Sequence, residues 1–128
     1  MTDRFVFHVD PRNAACTKSE LQIQIAFRNQ MKKLAPDVMI VAIPNEGKRS
    51  KWEAIKRGRE GLYPGFPDIM VLYDGKCRFI EFKAGTGALS DNQIDCFNAL
   101  VARNHTIGVF RSADTAIEWL RRTGVPIL

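Results

Sequence analysis

Apolar residues recur along this chain with two different periods. Across residues 18–35 (KSELQIQIAFRNQMKKLA), Ile23, Phe27, Met31 and Leu34 fall three or four apart, the spacing of one helix face. Leu21, Ile23 and Ile25 also alternate, but the segment is too long for an ordinary strand, so the pattern predicts a helix that Pro36 stops. Thr17 and Glu20 fit a T-x-x-E capping box at its start. Residues 38–43 (VMIVAI) form an unbroken apolar run and predict a buried strand. Two further apolar runs, 69–73 and 77–82, flank Asp74-Gly75, the signature of a hairpin closed by a two-residue type I′ turn. Ser90 and Gln93 make an S-x-x-Q box that opens a second helix to about Arg103, with Ile94, Phe97, Leu100 and Val101 as its apolar stripe. A short strand over 106–110 (TIGVF) leads to a last helix over 113–122, capped by Ser112 and stopped by Gly124. Phe5-Val6-Phe7 fits a short edge strand or a dimer contact, and residues 11–17 a loop. The order helix, strand, hairpin, helix, strand, helix predicts an α/β domain with a mixed sheet. Both faces of the hairpin are apolar, as in a sheet covered on both sides.

Residues 44–67 break the pattern. Lys48, Arg49, Lys51, Lys56, Arg57 and Arg59 outnumber Glu46, Glu53 and Glu60, and four glycines favour a loop, with room for a short helix near 50–57. A long loop in a small domain is usually functional or disordered. Its cations suit contacts to nucleic-acid phosphates, which hold a backbone without reading its sequence. Trp52 and Tyr63 either anchor this loop or stack on bases.

Composition sharpens the picture only modestly. The 128 residues suffice for one domain, with 45% hydrophobic and 26% charged positions, as in an ordinary globular protein. A net charge of +5 favours polyanionic partners. Cys16, Cys77 and Cys96 are widely spaced, and only His8 and His105 could join them, which argues against a zinc site or disulfide framework. Reduced thiols, and an N-terminus unlike a signal peptide, point to the cytoplasm. No apolar stretch is long enough for a membrane-spanning helix, and the G-T-G after Lys83 lacks the ending of a phosphate-binding P-loop.

The hairpin carries the chemistry. Counting outward from Asp74-Gly75 sets Asp68 opposite Glu81, with Lys83 projecting from the same face as Glu81. Carboxylates directly opposite on a sheet repel at a Cβ separation of about 5 Å. Such a pair needs a cation, and hard ions such as Mg²⁺ bind through one or two carboxylates while keeping waters for the substrate. Lys83 adds a positive charge and a donor for an attacking water. A bare E-x-K is usually just a solvated surface, but exposed acid pairs rarely end strands as apolar as these.

Pro67-Asp68 followed by Glu81-Phe82-Lys83 resembles the PD-(D/E)xK nuclease signature. Together with Gly61, Gly65-Phe66-Pro67-Asp68 and Ser90-x-x-Gln93, it resembles the VRR-NUC branch of that superfamily, over roughly residues 20–112. The resemblance implies a restriction-endonuclease-like fold and a Mg²⁺- or Mn²⁺-dependent nuclease acting on DNA, with no organic cofactor. It implies Asp68, Glu81 and the Phe82 backbone carbonyl as metal ligands, with Lys83 beside the attacking water. It also implies a glutamate on the first helix as an extra ligand, for which Glu20 is the candidate, and a site role for Gln93. The locally structural readings of Glu20 and Gln93 as capping-box partners stay open. Small members of this kind resemble phage or bacterial homodimers that cut four-way DNA junctions. The competing class is a nucleic-acid-binding module that keeps the fold without catalysis.

Overall fold

The computed structural model describes residues 5–44, 61 and 63–128. One mixed sheet holds β1 (His8–Val9), β2 (Met39–Ala42), β3 (Ile69–Tyr73), β4 (Lys76–Phe82) and β5 (Thr106–Phe110) in the order β1-β5-β4-β3-β2. β1 and β4 run parallel to β5, whereas β3 is antiparallel to both β4 and β2. The helices among the described residues are α1 (Glu20–Leu34), α2 (Asp91–Ala102) and α3 (Ala113–Arg122). This is the predicted α/β architecture, with helices on both sides.

Alternation along the central strands feeds two cores. Ile69, Val71, Ile80 and Phe82 meet Ile23, Phe27 and Met31 of α1 and Ile117 and Leu120 of α3 on one face. Phe79, Ile107 and Val109 meet Cys96 and Phe97 of α2 on the other. The hairpin has the predicted register, with Tyr73 opposite Lys76 and Ile69 opposite Ile80. Asp74 and Gly75 both take positive φ, 52° and 72°, as a type I′ turn requires. Asp68 and Glu81 are therefore the next positions outward.

Three local expectations are corrected. The cap of α1 is Ser19, not Thr17. The Ser19 hydroxyl accepts from the Gln22 N–H at 3.2 Å, and Gln22 Oε1 accepts from the Ser19 N–H at 2.9 Å. Two overlapping capping boxes fit T-K-S-E-L-Q, and the later one puts the first helical turn directly on Glu20. The run 38–43 does not form a buried strand. β2 lies at the sheet edge and pairs with β3, leaving Met39 62% and Val41 38% exposed. An unbroken apolar run cannot tell edge from centre, because strand order is set by partners distant in sequence. The N-terminal edge strand is His8–Val9 instead of residues 5–7, and Phe7 packs edge-on against Phe97 at 5.4 Å. The basic residues Lys48, Arg49, Lys51, Lys56, Arg57 and Arg59, with Trp52, lie outside the described residues. Tyr63 is described and 60% exposed.

Candidate active site

β4 and the segment leading into β3 bring the acid pair together as the register requires. The Phe82 N–H donates to Asp68 Oδ2 at 3.3 Å, so the strand backbone fixes the Asp68 carboxylate. Glu81 is 1% exposed, on the face covered by α2. Burial pushes its carboxyl well above the usual carboxylate range, and the charge and hydrogen bond of Asp68 push it the same way. Lys83 opposes that rise, whereas Glu20 adds to it. Cys96 of α2 senses the same charge: burial first, then Glu81, push its thiol up to about 11.

Glu20 completes the site. One carboxylate oxygen from each of Glu20, Asp68 and Glu81 lies within 4.8 Å of the others. Because Ser19 and Gln22 form the cap, Glu20 is the first helical residue, free of the capping role that Thr17 would have given it. Gln93 is different. Its Oε1 accepts from the Ser90 N–H at 2.9 Å and its own N–H donates to Ser90 Oγ at 3.1 Å, so its visible work is capping α2. Lys83 is half-buried where β4 ends, and its N–H donates to the Phe110 carbonyl at 3.0 Å.

Gly65 sets the approach to Asp68. Its φ is +74°, and a Cβ there would meet the backbone of Asn92 and Gln93 at 2.6 Å. Only glycine lets the chain pass so close to the first turn of α2. Gly65→Ala is therefore expected to destabilise the protein by at least about 2 kcal/mol, read by urea denaturation, because backbone strain and a rigid clash add. Unchanged stability would show that this segment shifts freely.

A clamp that sequence reasoning missed ties the supporting loops together. Arg111, buried just beyond β5, donates from Nη1 to the carbonyls of Ala84 (2.7 Å) and Gly87 (2.9 Å), and from Nε to that of Asp10 (3.1 Å). The Asp10 carboxylate accepts from the Arg111 N–H (3.0 Å) and from Thr115 Oγ1 (2.6 Å), and bonds His8 Nε2 (2.7 Å). The Asn13 N–H donates to the Gly85 carbonyl at 2.8 Å. The segment leading to Glu20 is thus pinned to the segment leaving Lys83. Asp10 and Arg111 stand 101 positions apart, so no local pattern signals them.

The donor set suits a hard divalent cation. It is all oxygen, and Glu81 Oε1 is sealed from solvent with no hydrogen-bond partner among the described residues. A buried acceptor left unpaired beside two further carboxylates is what a bound cation would satisfy.

The family model for the VRR-NUC domain matches residues 13–114. The chain belongs to the VRR-NUC family, a family of nuclease domains. A solved structure described as a VRR-NUC domain protein superposes with a TM-score of 0.67 at 20% identity, covering 83% of this chain and 88% of its own. No curated protein matches significantly. Among the described residues, no helix is long and apolar enough to cross a membrane.

Proposed function

We propose that this protein is a divalent-metal-dependent endonuclease that hydrolyses DNA phosphodiester bonds. The convergence of Glu20, Asp68 and Glu81 within 4.8 Å is the observation that carries this reading. These three carboxylates would hold Mg²⁺ or Mn²⁺, joined by the Phe82 carbonyl that the family likeness suggests. When bound, such an ion supplies Lewis-acid stabilisation of charge on a phosphoryl oxygen.

The chain's own groups do the rest. The Phe82 N–H keeps Asp68 oriented, and the Arg111 clamp keeps the Glu20 and Lys83 segments in register. Lys83 orients the attacking water and offsets the negative charge that builds on the phosphate. Water adds to phosphorus, the bond to one nucleoside oxygen breaks, and that oxygen takes up a proton. A phosphate monoester and a hydroxyl result, and the water's own proton leaves to solvent. Gln93 borders this site at the α2 cap. Lys48, Arg49, Lys51, Lys56, Arg57 and Arg59 grip the DNA backbone, so affinity falls steeply with salt. A cytoplasmic homodimer cutting branched or four-way-junction DNA fits this reading, since two sites on a two-fold axis suit a symmetric substrate.

The test is cleavage of labelled duplex, single-stranded and four-way-junction DNA with Mg²⁺, Mn²⁺ or EDTA, alongside light scattering for the assembly. Cutting that requires the metal and favours the junction is expected. Salt-sensitive binding without cutting, and tighter in Asp68→Ala, would instead identify a non-catalytic nucleic-acid-binding module.

A further inference from the structure

At the opposite end of β4, away from the three carboxylates, the fold leaves a hollow of about 520 Å³. Gly75, Lys76, Cys77 and Arg78 line it from the hairpin, Asn104, His105 and Thr106 from the entry to β5, and Thr123 from the end of α3. None of the described residues that line it is a carboxylate. Arg78 is 6% exposed. Its Nε donates to Thr123 Oγ1 at 3.0 Å and its Nη2 to the Thr123 carbonyl, which caps α3. Its Nη1 is sealed from solvent and has no hydrogen-bond partner among the described residues. A buried guanidinium with an unpaired donor is costly unless a negative group stands beside it.

We propose that this hollow is an anion site that takes a phosphate group. Arg78, held in place by Thr123, supplies a fixed, always-charged guanidinium beside the hollow. The exposed Lys76 and His105 stand at its rim and add a mobile ammonium and a ring N–H. The Asn104 and His105 amides already bond Val101 and Leu100 carbonyls at the end of α2, so recognition falls to side chains. Arg78 and Glu81 are three residues apart on β4, about 10 Å, and Lys76 about 17 Å away. The two sites are thus separate, and by strand alternation Arg78 and Glu81 face opposite sides of the sheet. The phosphate comes either from a nucleic-acid backbone or from a free phosphate or nucleotide. The anion site stands whether or not the acidic centre cleaves anything.

The probe is inorganic phosphate, titrated in EDTA at constant ionic strength and followed by amide NMR. Saturable shifts confined to residues 75–78, 104–106 and 123 are expected. Lys76→Ala with His105→Ala keeps a folded spectrum, since both residues are exposed, and weakens phosphate binding about tenfold or more. Shifts that never saturate, that fall elsewhere, or that persist unchanged in the double variant overturn the proposal. A short DNA duplex added in EDTA then names the source. Displacement of phosphate from the hollow identifies a backbone phosphate. Phosphate that stays bound beside the duplex identifies a free phosphate or nucleotide.

Discussion

Lys83→Ala is expected to lower the cleavage rate at least about a hundredfold while leaving stability and divalent-metal binding close to wild type. The separation follows from what each atom of Lys83 does. Its N–H bonds the Phe110 carbonyl, and that bond survives any side-chain truncation. Its ammonium stands near Glu81 and counters the rise that burial and Asp68 impose there. On the proposed mechanism, removing the ammonium takes away a donor to the attacking water and a charge that offsets the transition state, but it removes no oxygen ligand. Metal affinity should hold or rise slightly, because a like charge near the cation is gone. Asp68→Ala is expected to behave differently and to lose metal and cleavage together. Single-turnover cleavage and calorimetric Mn²⁺ titration of both variants read the split. Lys83→Ala cutting at the wild-type rate would end the role given to Lys83 and leave the three-carboxylate site standing.

The features legible in the sequence are those written in local chemistry. Asp74-Gly75 dictated the turn, the turn dictated the register, and the register put Asp68 beside Glu81 before any tertiary contact was known. Ser90 and Gln93 announced α2 in the same way, and Ser112 announced α3. Legibility failed where distant partners decide. Whether residues 38–43 lie at the centre or the edge depends on which strands flank β3, and nothing in VMIVAI encodes that. Overlapping boxes at 17–20 and 19–22 left the α1 cap ambiguous, and the choice matters, since only the Ser19 cap leaves Glu20 free to face Asp68 and Glu81. The Asp10–Arg111 clamp and the exposed flank of β2 belong to the same class of tertiary decisions.

Glu81→Gln is expected to raise the stability of the metal-free protein by about 1–3 kcal/mol while abolishing the stabilisation that Mn²⁺ gives the wild type. Glu81 is 1% exposed, shares its corner with two other carboxylates and has Oε1 unpartnered among the described residues. In EDTA, the Lys83 charge offsets only part of the cost of keeping it charged. Its folded pKa is raised, mainly by burial and then by Asp68, so the folded state holds a proton that the unfolded chain has already released. The metal-free wild type therefore loses stability as pH climbs from about 4.3, the unfolded value, towards the raised folded value. The loss is complete above that value. Glutamine has no proton to release, so the variant is expected to lack this Glu81-linked decline. On the proposed reading, a metal ion would reverse the balance by binding the folded wild type and turning the repelling carboxylates into ligands. Denaturant melts of both proteins across that pH range, in EDTA and in Mn²⁺, test the idea directly. A Glu81→Gln protein less stable than wild type in EDTA would mean that Glu81 serves the fold, and that the site's repulsion is relieved without a cation.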